Sequence, residues 1–353
     1  MRTMERENLL AALARAVAPS GCETEAARTI LKSIAGLFDE AWTDGAGNLI
    51  VRLSSGKSRG KERLMLAAHM DEVGFMIKSI DAEGKARVAL LGNLDTRVLS
   101  GRRIAMTSGV RGVVCTKPIH AQSGEERSKP TPADKLYIEL GAKDRAQAET
   151  LVQIGDYGTL EPKFTPLAGG FYAGKALGGR SMCVLLCELL EKLHGMDKDK
   201  LAVDEIFFVF SAKREIARAQ FAIETAAFTT RPDRAVLFDA APAADFGDAP
   251  ETARGASLGA GAVIAPADAG TLYDRALFAQ AVSMAKARGI RYQHPASAAL
   301  PGGEGKTVHK TASGIRTLSV GIPTRNLHSG AEIIQRSDYE AALSLACALV
   351  VAP

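Results

Sequence analysis

The sequence predicts an α/β protein interrupted by a β-rich insertion, and three observations predict it. Helical and strand-like patterns alternate over the first 72 residues and again after Pro166, the mark of layers around a largely parallel sheet. Between about Val73 and Pro166, short β-type runs follow one another with glycine-containing turns and a single helical pattern. The length of 353 residues suits about two domains. The expected organisation is an α/β domain from 1–72 and 166–353, with 73–165 as a separate β-rich unit.

Taken in order, Leu9, Leu10, Leu13 and Val17 recur at helical spacing. After the break at Pro19-Ser20-Gly21, Ala26, Ile30, Ile34 and Leu37 do so again, so two helices open the chain. The turn formers Asp44 to Asn48 separate two short strands, Glu40 to Thr43 and Leu49 to Leu53, as in a hairpin. The polar stretch Ser54 to Arg63 reads as a loop into an apolar strand that ends on His69. Within the insertion the expected strands are Val73 to Ile80, Ala86 to Leu91, Arg103 to Met106, Val110 to Thr116 and Leu136 to Leu140. They are joined by one helix at Asp144 to Val152 and a polar, proline-containing mobile loop at His120 to Asp134. Beyond it come a helix at Ser181 to Leu193, a buried strand at Glu205 to Phe210, a helix at Glu215 to Ala226 and a strand at Arg234 to Phe238. A helix at Leu277 to Arg288, a strand at Arg316 to Val320 and a closing helix at Ser337 to Val351 complete the alternation.

Composition narrows the function. Hydrophobic content of 46% and charged content of 24% are those of an ordinary globular protein. A net charge of +4 is small for this length and no basic cluster is interleaved with aromatics, which argues against nucleic acid as a partner. The first residues lead into a helix rather than a signal peptide, and no apolar run reaches transmembrane length, so a cytoplasmic, membrane-free protein is expected. Five scattered cysteines argue against a disulfide framework; Cys183 and Cys187 share one helix face, where packing is the expected role.

The chemistry concentrates at strand ends. Residues i and i+2 of a strand point to one face, so His69 and Asp71 can present an imidazole beside a carboxylate, the usual pairing of a metal ligand with its orienting acid. In open α/β sheets ligands gather beyond the carboxyl ends of strands. Ionisable residues just past the expected strands are His69, Asp71, Glu215, Asp239 and His328. Two histidines and several acids on one rim have the composition of a zinc, cobalt or manganese site.

Several motifs make a resemblance specific. They are PSG at Pro19 to Gly21, GNL at Gly47 to Leu49, AAHMDEVGFM at Ala67 to Met76, TKP at Thr116 to Pro118 and EER at Glu125 to Arg127. GKAL at Gly174 to Leu177, LGAG at Leu258 to Gly261 and IPTRNLHS at Ile322 to Ser329 complete the set. Over nearly its whole length the chain resembles the M42 metallo-aminopeptidases, the glutamyl and tetrahedral (TET) aminopeptidases sometimes labelled glucanases. The resemblance implies a three-layer α/β/α, phosphorylase/hydrolase-like metallopeptidase domain with an inserted PDZ-like or barrel dimerisation domain. It also implies metal-dependent removal of N-terminal residues from peptides, two divalent metals, and homo-oligomers from dimers to dodecamers. Carried over residue by residue, His69 and Asp239 would belong to one metal, Glu215 and His328 to the other, and Asp71 would orient His69.

Three departures stand against that carry-over. The bridging aspartate of the pattern GKALD(D/N)R is replaced in Gly174-Lys175-Ala176-Leu177-Gly178-Gly179-Arg180, and Gly178 offers no ligand. The first of two consecutive glutamates, the general base, is Arg214, which stays protonated and cannot take a proton from water. The GGTDA element reads Gly302-Gly303-Glu304-Gly305-Lys306, without its aspartate. Only two protein ligands remain for each metal, whereas catalytic zinc usually keeps three; Asp71, Asp245 or Glu304 would have to swing in. Replacing Asp by Gly adds one positive unit and Glu by Arg two, close to the charge of two divalent ions, so Arg214 is expected to fill the vacated space between Glu215 and Asp239.

The expected function is an impaired or inactive M42-like homologue holding no metal or one. It would bind peptides or regulate, assembled with itself or mixed with an active relative. The alternative is a working aminopeptidase with one metal or displaced ligands. A glycoside hydrolase needs two carboxylates flanking the bond, and the sequence marks no such pair.

Overall fold

The computed structural model describes residues 3–56, 62–216, 221–245, 255–295 and 302–351. Among them, eight strands form one mixed sheet. Its central four are β12 (Glu205–Ser211), β3 (Arg63–His69), β13 (Arg234–Pro242) and β18 (Arg316–Thr324), adjacent in that order and parallel. The hairpin β1 (Glu40–Thr43) and β2 (Leu49–Ser54) extends the β12 side antiparallel, while β14 (Ala262–Ala265) and β17 (Tyr292–Gln293) extend the β18 side.

Strand alternation divides β3 between two cores. Leu64, Leu66 and Ala68 face α1 (Thr3–Arg15), α2 (Thr24–Ser33), α5 (Leu177–His194), α7 (Arg275–Ala287) and α9 (Arg336–Val350). Met65 and Ala67 face α6 (Phe221–Thr230) and α8 (Gly305–Val308). A sheet buried on both faces reads as an apolar run, which is why RLMLAAH and EIFFVFS show no alternation.

The insertion is a closed six-strand barrel, in the order β4 (Gly74–Ile80), β5 (Ala86–Leu91), β8 (Tyr137–Glu139), β7 (Arg111–Cys115), β6 (Arg103–Met106) and β9 (Tyr157–Leu160). It has its own apolar core around Phe75, Ile77, Val88, Ile104 and Ile138, sealed in part by α4 (Arg145–Leu151) through Ala148. The boundary expected at 165 falls inside β10 (Phe164–Pro166), which joins β11 (Phe171–Gly174) and β19 (Glu332–Gln335) in a separate sheet. A short hairpin, β15 (Ala267–Asp268) with β16 (Thr271–Leu272), follows β14.

A buried ion cluster fastens barrel to sheet. Glu72, between β3 and β4, meets Lys175 at 2.6 Å and Arg180 at 3.0 Å. It also accepts bonds from the Ala18 amide and the Thr159 hydroxyl of β9. Arg180 donates further to the carbonyls of Leu13, Ala16 and Ala18 at the end of α1.

Several expected boundaries move. The expected loop His120 to Asp134 holds α3 (Gly124–Ser128), a helix too short for periodicity but closed by a Ser123–Glu126 capping box. Helix α5 starts four residues before Ser181, because Gly178 and Gly179 have poor helix propensity and masked its first turn. Of the helix expected from Glu215, the described part is Phe221–Thr230, with 217–220 outside the described residues; Arg214 and Glu215 lie in a turn. Strand β18 runs past the expected end at Val320 to Thr324, through Pro323. Residues 57–61 of the expected Ser54 to Arg63 loop also lie outside the described residues.

Candidate active site

Strands β12 and β3 end in register, Ser211 beside His69, while β13 and β18 run on together to Pro242 and Thr324, so Asp239, expected just past a strand ending at Phe238, lies within β13. Past these ends the chain turns, and one carboxylate organises the turn. Asp71 is fully buried and accepts bonds from the Ser20 hydroxyl, the Arg214 amide (3.1 Å) and the Glu215 amide (2.9 Å). Lys213, at φ +59, makes the left-handed turn that presents both residues.

All five expected residues and Arg214 line one crevice with Glu332 and Val73. His69 Nε2 lies 3.6 Å from Asp239 Oδ1, and its Nδ1 lies 3.4 Å from Asp71 Oδ1. The second distance is within ion-pair reach but off the hydrogen-bond line, so Nδ1 is without a bonded partner. His328 Nε2 is 3.1 Å from Glu215 Oε2. Between the two pairs sits Arg214, with Nη2 2.7 Å from Asp239 and Nη1 3.4 Å from Glu215. The guanidinium thus stands between the two acids of the carried-over pairs.

The electrostatics follow. Burial alone would raise the Asp239 and Glu215 carboxyls, but Arg214 and the neighbouring histidines outweigh it, placing Glu215 at about 2 and Asp239 well below its ordinary value. Burial would lower His69 and His328, yet Asp239 and Asp71 hold the first well above its usual value and Glu215 raises the second. Two further acids shift the other way: burial pushes Glu304 and Glu332 up to about 7.

The acids expected to swing in are otherwise engaged or only partly so. Asp71 is committed to its three donors. Asp245 is gripped by Arg325 through two 2.7 Å bonds and holds the Leu258 amide, so it is tied to that pair rather than free to move in. Glu304 shares a second pocket with Arg214, Asp239, Asp268 and Tyr273, and its Oε1 has no bonded partner.

Glu332 is the residue that sequence reasoning missed. It accepts bonds from the Gly178 amide at the start of α5 and from the His328 amide, each at 2.9 Å. It thereby fixes His328 in a left-handed conformation at φ +61. An acid in the otherwise apolar EII run, four residues past His328, was the available signal.

The crevice can hold carboxylates, imidazoles and one fixed guanidinium in a half-closed space. Among the described residues no group of three or more His, Cys, Asp or Glu is disposed to hold a metal ion.

Comparison with known proteins supplies the context. The family model described as M42 glutamyl aminopeptidase matches residues 47–345. A putative aminopeptidase of Acetivibrio thermocellus is 31% identical, covering 97% of this chain and 98% of that protein. Among solved structures, the TET aminopeptidase of a marine sediment Thaumarchaeota archaeon superposes with a TM-score of 0.91 at 25% identity, over 98% of this chain and 96% of that one. The Pyrococcus horikoshii TET1 peptidase, described as assembling into a tetrahedron or a large octahedral shell, gives 0.84 at 28% identity, over 98% and 99%.

Proposed function

Because the chain belongs to the M42 glutamyl aminopeptidase family, we propose that it keeps the family fold while Arg214, rather than a pair of metal ions, neutralises its crevice. On this reading it does not remove N-terminal residues from peptides through a two-metal centre, and acts instead as a binding or regulatory homologue. The observation that carries the reading is the 2.7 Å contact of Arg214 with Asp239 beside its 3.4 Å approach to Glu215. A divalent ion at either carboxylate would lie against a permanent cation, at a Coulomb cost of several kcal/mol in a partly desolvated site. The residues present therefore do not fit a metal pair. Gly178 supplies no bridge, and a protonated guanidinium occupies the position of the general base.

What remains suits ligand binding. On this reading peptide binding falls to the crevice lined by His69, His328 and Glu332, and assembly to the barrel. Self-assembly between a dimer and a dodecamer, mixing with an active relative and a cytoplasmic location complete the proposal; no described helix is long and apolar enough to cross a membrane.

One observation favours a second reading, an aminopeptidase working with one metal or displaced ligands. The pairs His69–Asp239 and Glu215–His328 are still in contact, and Glu304 brings an unbonded oxygen beside them. Purification in zinc- and cobalt-supplemented buffer, followed by metal analysis and assay on aminoacyl-p-nitroanilides, separates the two. The proposal expects neither stoichiometric metal nor turnover; one bound metal with turnover supports the second reading.

A further inference from the structure

The first turn of α5 carries Gly178 and Gly179, and neither has the positive φ that would call for glycine. Glycine inside a helix costs roughly 0.5–1 kcal/mol relative to alanine, so two in succession need another reason. Space is that reason. A Cβ built on Gly178 would lie 2.6 Å from the Ala240 Cβ and 3.2 Å from Leu327 Cδ2. A Cβ on Gly179 would lie 2.2 Å from His69 Nε2 and 2.3 Å from its Cε1. Real Cβ atoms do not come within 3 Å of other atoms, as three of these approaches would require, and in the first case the obstacle is a methyl fixed to the backbone of β13 rather than the end of a flexible chain.

We infer that the crevice excludes a bridging side chain by volume, with Ala240 filling the space at position 178 and the His69 ring filling it at 179. Ala240 is thus a determinant of the site that no sequence motif marks. It follows Asp239 directly, and its amide donates to Asp239 Oδ1 at 2.7 Å, so the residue that carries the obstructing methyl also helps to set the carboxylate paired with Arg214. This deepens the reading of a crevice that holds no metal pair, and it makes a separate claim: reverting Arg214 and Gly178 alone does not rebuild a metal site, because an aspartate at 178 has no room until residue 240 loses its methyl.

The test uses the full chain. Gly178→Ala adds the offending Cβ without charge; Ala240→Gly removes the obstacle; the double variant does both. Gly178→Ala is expected to lower the melting midpoint by about 3–10 °C, despite alanine's better helix propensity. Adding Ala240→Gly should return most of that loss, so the two changes are coupled rather than additive. Should Gly178→Ala fail to fold, recovery of a folded double variant supports the inference and failure of both overturns it. A Gly178→Ala protein as stable as the parent, or strictly additive losses, also overturns it. The same contrast is then read by zinc titration: Arg214→Glu with Gly178→Asp should bind no zinc pair, and the addition of Ala240→Gly should permit one. Zinc binding by the first of these overturns the steric claim, whereas zinc binding by the parent chain overturns the Arg214 reading instead.

Discussion

Arg214 makes its contacts with side chains that are only partly exposed, 20% for Asp239 and 8% for Glu215, and this makes its removal informative. Arg214→Met keeps volume but leaves Asp239 and Glu215 with only their neighbouring histidines as cations, which should cost up to about 3 kcal/mol at pH 7 in urea denaturation. The pH dependence follows from the direction of the shifts. Glu215 and Asp239 are depressed in the folded state, so their contribution is complete above the ordinary carboxylate range and is lost as pH falls through it toward about 2. The gap between parent and Arg214→Met should therefore narrow as pH falls from about 5 to about 2; a gap independent of pH would refute the pairing. Glu304 works in the opposite sense. Burial raises it to about 7, so the folded protein holds that proton more tightly than the unfolded chain does, and stability declines as pH rises from about 4.5 to about 7. Glu304→Gln should flatten that decline by roughly 2–3 kcal/mol, measured between pH 5 and pH 8. His69, Asp71, Glu215, Asp239 and His328 were legible as a rim because each stands at or just past an expected strand end, and Arg214 was legible as a misfit. Glu332 and Ala240 were not, since what they do depends on the approach of α5 to β13 and β19, which neither periodicity nor motif encodes.

At the scale of elements, α5 is the part held from most sides. Its Arg180, with Lys175 just before it, converges on Glu72, so two buried cations share one anion. Glu72→Ala would leave both without their anion and remove the nearer of the two acceptors of Thr159, so it should cost at least about 3–5 kcal/mol and loosen the barrel's attachment. Hydrogen exchange at β9 faster than at β12 in the variant would register the second effect; unchanged exchange at β9 would show that the barrel is held by other contacts. The strands of the central sheet were readable because two buried faces demand uninterrupted apolar runs. Helix ends were less so: the glycines at the start of α5 spoke against helix where packing enforces it, and Arg214 and Glu215, which the pattern placed at a helix start, lie in a turn with their amides on Asp71.

For the whole molecule, the barrel is an insertion whose two ends are neighbours, because β4 and β9 pair at Phe75–Gly158 and Met76–Tyr157. Removing 73–165 therefore calls for a linker that spans from the β4–β9 end of the barrel to Pro166 in β10. If the barrel carries assembly, the shortened chain should sediment as a monomer while the full chain sediments as a dimer or larger; identical sedimentation of the two would remove the barrel from that role. The two-unit architecture was visible in the sequence as a change from alternating helices and strands to strands alone. The end of the insertion was not, because β10 has the composition of a barrel strand and its partners, β11 and β19, are distant in sequence. The central claim, that a fixed arginine stands in for the metals of this family, is tested most directly by the metal content of the full chain after equilibration with excess zinc or cobalt and removal of free ions. The account predicts no stoichiometric metal in the parent. Two ions per chain, with Arg214 still in place, would contradict it.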